Sequence, residues 1–268
     1  MIPNLLSIAG SDPSGGAGVQ ADLKTFAAHG CYGMAVITAL TAQNTRGVTG
    51  VHVPPAAFVG AQIDAVFADI AVAAVKIGML ANGGVAATVA DRLQAHRPPF
   101  IVLDPVLVAT SGDSLGAPDV VDAMLARLFP LADLITPNGP EAARLTGLPE
   151  PVDVDGLRTL ALALHARGAR AVLVKGGHLA GQTASDVLFA GGQSHVLSAP
   201  RIATRNTHGT GCALSSAIAA NLALGLDLHA AVAAAKTWLT AALEGANALS
   251  VGGGPGPVNH FWKLWPKP

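Results

Sequence analysis

The chain has 268 residues, 51% of them hydrophobic and only 12% charged, with a formal net charge of −1. That balance supplies neither the basic face a nucleic acid needs nor an acidic tail, and the apolar runs break well short of the roughly 18 residues of a membrane span, so the expected partner is a small molecule, with no nucleic acid and no membrane. Two cysteines far apart, Cys31 and Cys212, make no disulfide framework, and Met1 to Ala9 lacks the basic segment and apolar core of a signal peptide, so a cytoplasmic protein is expected.

Leu5 to Ile8 is a short apolar run that ends in Ala9-Gly10-Ser11-Asp12-Pro13-Ser14-Gly15-Gly16-Ala17-Gly18, a strand followed by a loop. The loop has neither the Gly-Lys-Ser/Thr of a Walker A sequence nor a G-x-G-x-x-G dinucleotide fingerprint. A helix follows from about Val19 to His29 and stops at Gly30, which puts Gly10 and Asp12 at a strand's carboxyl end, where α/β sheets bind ligands. Asp22 falls in that helix's first turn, where a carboxylate complements the dipole or contacts a ligand.

Tyr32 to Leu40 reads as a buried strand running into the polar cluster Thr41 to Gly47. There Gln43 either caps its own loop or pairs its amide with a heteroaromatic ring that presents both a donor and an acceptor. A strand over Val48 to Val53, a helix over Ala56 to Ala68 and a strand from Ala73 to Met79 come next. Met79, beside a glycine at a strand tip, fills core space or floors a pocket. Helix Gly83 to His96 leads to Phe100 to Val106, in which Asp104 closes an apolar strand. Such a carboxylate loses its hydration unless a cation, a metal or a hydrogen-bond donor meets it. A flexible loop is expected over Ala109 to Asp113.

Helix Pro118 to Phe129 and strand Leu134 to Thr136 precede Pro137-Asn138-Gly139-Pro140-Glu141, which opens a helix that stops at Gly147. Asn138 with Glu141 has the form of a capping box, and Glu141 suits equally the holding of hydrated Mg²⁺ near phosphates. Helix Val154 to Arg167 feeds a strand ending at Lys175, which either neutralises phosphate oxygens or is solvated. Asp186 to Phe189 and Ser194 to Leu197 flank Gly191-Gly192 as a hairpin. Helices from Cys212 to about Leu224 and from Leu228 to Ala248 follow, then a turn over Gly252 to Pro257, after which Phe261, Trp262 and Trp265 pack back onto the body.

The stretch that organises the chain is Gly209-Thr210-Gly211-Cys212 at the start of the first of those last two helices. Unpaired first-turn amides and the helix dipole attract an anion there, and glycines clear its approach. The same field favours thiolate over thiol, so Cys212 is expected to titrate below its usual value and to act as base or nucleophile, or else simply to pack in the first turn. Repeated strand–helix alternation over 1–268 predicts one α/β domain, a doubly wound, mostly parallel sheet with helices on both faces and an antiparallel edge hairpin.

With these blocks laid out, the chain resembles the hydroxymethylpyrimidine/phosphomethylpyrimidine kinases of thiamine synthesis, in the ribokinase-like superfamily. The resemblance runs through A-G-S-D-P-S-G-G-A-G-V-Q-A-D-L-K-T from Ala9, T-A-Q-N-T-R-G-V from Thr41, K-I-G-M-L from Lys76, T-P-N-x-P-E-A from Thr136, K-G-G-H from Lys175 and T-H-G-T-G-C from Thr207. It implies transfer of phosphate from ATP, with Mg²⁺, to the pyrimidine's hydroxymethyl group and then to the monophosphate, by a homodimer. It assigns the pyrimidine to Gly10, Asp22, Gln43, Met79 and Val106, the anion hole to Gly209 to Cys212, the nucleotide to Asn138, Lys175, Thr207, Gly209 and Gly211, and the metal to Asp104 and Glu141. Leu107 and Thr110 stand where methionine and lysine are common, the second bearing on how a monophosphate is gripped. Some members of this family accept vitamin B6 alcohols, which gives a pyridoxal-type kinase as the alternative. A more distant reading is a transferase with Cys212 as nucleophile, activated by His208 or His178.

Overall fold

The computed structural model describes residues 1–107 and 119–265. The expected loop over Ala109 to Asp113, Thr110 within it, and the helix start at Pro118 lie outside the described residues. Nine strands form one sheet, β1 (Asn4–Ser11), β2 (Tyr32–Asn44), β3 (Gly47–His52), β4 (Ala74–Ile77), β5 (Ile101–Leu103), β6 (Leu134–Ile135), β7 (Val172–Val174), β8 (Thr183–Ala190) and β9 (Gln193–Pro200), in the order β3-β2-β1-β4-β5-β6-β7-β8-β9. The six strands from β2 to β7 run parallel, and β8 and β9 form the expected antiparallel hairpin. The other edge is also antiparallel, because β2 continues through Asn44 and turns directly into β3. The polar cluster read as a loop is thus the end of a strand, with a bulge between Ala42 and Gln43.

Period-two alternation divides the central strands between two apolar layers. Leu6, Val75, Leu103 and Val172 join the core under α2 (Ala56–Phe67), α3 (Gly83–His96) and α6 (Val154–Ala166), while Leu5, Ala74, Val102 and Leu173 join the core under α1 (Gly18–Ala28), α7 (Thr210–Ala223) and α8 (Leu228–Glu244). Local signals set the helix ends. Asn82 caps α3 through Val85 N, and Asn138 and Glu141 form the reciprocal capping box of α5 (Gly139–Thr146). The helix expected up to Phe129 is split: α4 (Asp119–Ala123) widens into a π-helical stretch over Met124–Leu128. The last helix ends at Glu244 and is followed by a 3₁₀ turn, Ala246–Ala248. Trp262 is partly buried against the α7/α8 layer, whereas Trp265 stays 46% exposed. Among the described residues no helix is long and apolar enough to cross a membrane.

Candidate active site

The carboxyl ends of the parallel strands open onto a cavity of about 890 Å³. Its lining brings together Gly10, Gln43, Met79, Asp104, Val106, Asn138, Glu141, Lys175, Thr207 and the turn Gly209 to Cys212, thirteen of the fourteen residues that the resemblance assigns to pyrimidine, anion hole, nucleotide or metal. At one end the floor is apolar, with Met79 buried beside Ala39 and Ala81 and with Val106 packed on them. Gly10 allows this closeness, since a Cβ there would stand 3.0 Å from the Met79 sulfur. Leu107, also lining the cavity, is 2% exposed. Gln43 reaches the wall from the β2 bulge, its carboxamide oxygen 3.1 Å from the Thr41 hydroxyl.

The other end of the cavity is ionic. Asp104 is buried at the tip of β5 and takes hydrogen bonds from Lys175 Nζ at 2.8 Å and from the Thr136 hydroxyl at 3.1 Å. Glu141 receives the Asn138 amide at 2.8 Å, yet burial pushes its carboxyl up to about 7; Lys175 pulls it down and Asp104 pushes it further up. Burial alone would lower Lys175, but Asp104 and Glu141 outweigh it and hold the ammonium above its ordinary range.

Between the two ends stands the start of α7. Gly209 is its N-cap in the left-handed region, φ 75°, and no side chain caps the helix. Among the described residues the amides of Gly211 and Cys212 have no protein acceptor, while Ala213 N already bonds Gly209 O at 2.8 Å. A Cβ on Gly211 would lie 3.1 Å from Lys175 Nζ and 3.4 Å from an Asp104 oxygen, so the glycine lets that ion pair approach the open amides.

Two expectations are corrected here. Asp22 is fully buried and absent from the cavity wall: Lys76 Nζ binds both its oxygens at 2.8 and 2.9 Å, with the Ser7 and Ser216 hydroxyls at 2.6 and 2.7 Å. Its helix position turns the carboxylate inward, to Lys76, which itself lines the cavity. Cys212 lines the cavity too, but burial raises its thiol to about 11; Lys76 and the Gly18 amide pull it down, and Asp22 and Asp104 push it up. Burial and the two neighbouring carboxylates therefore push the thiol in the direction opposite to the expected thiolate. The His208 ring, offered above as a possible activator of Cys212, is instead committed to Asp12 at 2.7 Å.

Lys76 and the α8 side of the cavity escaped the sequence reading. Lys76 is wholly buried in β4, where burial would lower it but Asp22 prevails and holds it well above the ordinary lysine range. A lysine inside the apolar run Ala73 to Ile77 was the available signal, since it needs a buried partner. On the α8 side, Lys236 and Leu239 extend the cavity beside Asp186, whose second oxygen binds Lys236 at 2.6 Å and whose first accepts the Gly176 amide at 2.9 Å. Spacing on α8 gave no hint of this, as alanine is that helix's commonest residue and marks no polar face.

A parallel sheet with an open helix start and a Lys–Asp pair at its carboxyl edge defines a small-molecule kinase of the ribokinase-like fold. Comparison with known proteins agrees. The profile of the phosphomethylpyrimidine kinase family matches residues 12–259. A hydroxymethylpyrimidine/phosphomethylpyrimidine kinase of Rhizobium meliloti is 55% identical over 260 residues, 97% of each chain. The ADP complex of Bacillus subtilis pyridoxal kinase superposes with a TM-score of 0.91 at 36% identity, covering 98% of this chain and all of that one. The phosphomethylpyrimidine kinase of Clostridium difficile 630 gives 0.78 at 42% identity, over 90% of this chain and 98% of the other. The chain belongs to the phosphomethylpyrimidine kinase family.

Proposed function

We infer that the cavity serves ATP-dependent phosphorylation of hydroxymethylpyrimidine and of its monophosphate in thiamine biosynthesis. The observation that carries the reading is the pair of amides, Gly211 and Cys212, that meet no acceptor among the described residues and open between an apolar slot and the Lys175–Asp104 pair. An aromatic ring suits the slot formed by Met79 and Val106, with the Gln43 amide as its hydrogen-bonding partner. The hydroxymethyl arm then points at the amides, and the triphosphate arrives from the side of Asn138, Lys175 and Thr207.

Phosphoryl transfer of this kind has a loose transition state, so in-line positioning and charge neutralisation matter more than a strong base. The amides of Gly211 and Cys212, together with Lys175, take the charge on the travelling group. Cys212 can take the hydroxyl proton only in its thiolate form, which the buried ammonium of Lys76 favours and burial opposes, and which becomes the neutral thiol as the new P–O bond forms.

The carboxylates fit Mg²⁺. Among the described residues no three His, Cys, Asp or Glu side chains converge, so the chain offers no cage of its own. Glu141, however, is a carboxylate that burial lifts to about 7 even with Lys175 near it, and with Asp104 it suits an ion that keeps waters and phosphate oxygens in its shell. When bound, Mg²⁺ neutralises the phosphate oxygens.

The chain acts as a homodimer in the cytoplasm; exposed Leu40, Val51 and Phe58 near β3, the last strand at its end of the sheet, support the first part and two free cysteines the second. Sedimentation velocity tests the dimer: a species of twice the chain mass is expected, and a monomer at all concentrations contradicts it. A product-resolved assay with MgATP tests the function. Hydroxymethylpyrimidine should give monophosphate and then pyrophosphate faster than pyridoxine gives its phosphate; the reverse order would make this a vitamin B6 kinase instead.

A further inference from the structure

The turn that opens α7 is held by a partner 196 residues away in the sequence. His208 Nε2 lies 2.7 Å from Asp12 Oδ2, and both side chains are buried at the cavity wall. The Asp12 carboxylate is used fully: one oxygen accepts the Ser14 amide at 2.9 Å and the Ser14 hydroxyl at 2.7 Å, and the other accepts the Ala17 amide at 2.8 Å beside His208. These bonds outweigh the effect of burial and keep the carboxyl below its usual range. Asp12 therefore folds the loop after β1 and also reaches out of it to the ring.

The two loops meet backbone to backbone. A Cβ on Gly16 would fall 2.3 Å from the His208 ring, and one on Gly209 would fall 1.9 Å from the Gly16 carbonyl oxygen. From the opposite side His208 N donates to Gly256 O at 3.0 Å, so the residue before the N-cap is fixed at both its ring and its backbone. Gly209 turns at once into the left-handed region, and the open amides follow two and three residues later. Where the ring sits decides where those amides point.

We propose that the Asp12–His208 pair is a positioning device for the phosphoryl cradle, fixing the amides of Gly211 and Cys212 relative to the loop that borders the substrate slot. This rests on the kinase reading above. A pair that acts this way supports the transition state rather than ground-state binding, and so should show in kcat more than in KM.

The test is steady-state kinetics with MgATP and hydroxymethylpyrimidine on the full chain, with far-ultraviolet circular dichroism confirming the fold. His208→Ala should lower kcat at least tenfold while KM for the pyrimidine stays within about threefold. His208→Gln, whose amide N–H reaches toward the same carboxylate, should recover most of the loss, and Asp12→Asn, which conserves volume, should reproduce part of it. If the alanine variant does not fold, the other two decide the matter. A folded His208→Ala or Asp12→Asn variant with kcat within twofold of the parent, or a glutamine variant no better than alanine, overturns the positioning role. Failure of the unmutated chain to phosphorylate the pyrimidine would instead overturn the kinase reading.

Discussion

Lys76→Met isolates the buried ion pair behind the site. Both partners have fully buried side chains, and Lys76 contributes two of the four hydrogen bonds around the Asp22 carboxylate. Removing one member of such a pair costs about 3–5 kcal/mol, chiefly because the remaining charge is stranded. The Ser7 and Ser216 hydroxyls, at 2.6 and 2.7 Å, still solvate Asp22, so the lower end, about 3 kcal/mol, is expected. With a urea m-value of about 3 kcal/mol/M for a chain of this size, the unfolding midpoint should fall by about 1 M. Replacing both partners, Lys76→Met with Asp22→Leu, removes the stranded charge and should recover most of that loss. Urea titration followed by tryptophan fluorescence reads all three proteins. A single variant shifted by less than about 0.2 M, or a double variant as damaged as the single, would refute the reasoning.

The remaining predictions concern titration and the cradle. His260 is 4% exposed, and burial followed by the Lys24 charge pushes it down to about 4. The unfolded chain takes up that proton near pH 6.5 and the folded chain only near 4, so the neutral ring's contribution is complete above about pH 6.5 and is lost as pH falls toward 4, by about 3 kcal/mol. The stability difference between the chain and His260→Phe should therefore shift across this window, and an unchanged difference between pH 7.5 and 4.5 would count against it. With its thiol near 11, Cys212 should react with iodoacetamide about tenfold faster for each pH unit from 7 to 10, as read by peptide mass spectrometry; a plateau below pH 8.5 would restore the expected thiolate. Gly209→Ala should lower kcat by about 10²-fold, because the left-handed backbone and the 1.9 Å approach to Gly16 O both force the turn to move. Near-normal turnover would mean that the turn's geometry is dispensable.

What could be read from the sequence was mostly what short-range chemistry determines. The helix over Gly83 to His96 is found as expected because Asn82 caps it and the chain turns left-handed at Arg97. The strand ends carrying Asp104 and Lys175 were visible because each breaks an apolar run with a residue that an interior does not accept unaided, and the turn before Cys212 because its glycines punctuate the start of a helix. Burial and long-range pairing were not visible. Nothing near Cys212 in the sequence tells how far it is desolvated, and burial is the largest cause of its upward shift. The Asp22–Lys76 and Asp12–His208 pairs join residues 54 and 196 positions apart, which periodicity cannot connect. The β2–β3 hairpin was hidden because Thr41, Gln43 and Asn44 are polar where β2 runs out to solvent and to the ligand cavity, which Thr41 and Gln43 line.

The central claim is that the travelling phosphoryl group rests on the first-turn amides of α7. The most direct measurement is a crystal structure of the chain with ADP, Mg²⁺, aluminium fluoride and hydroxymethylpyrimidine. The account predicts the planar fluoride between the ADP β-phosphate and the pyrimidine hydroxyl, within hydrogen-bonding distance of the Gly211 and Cys212 amides and of Lys175. A fluoride bound elsewhere in the cavity, with those amides still facing water, would contradict it.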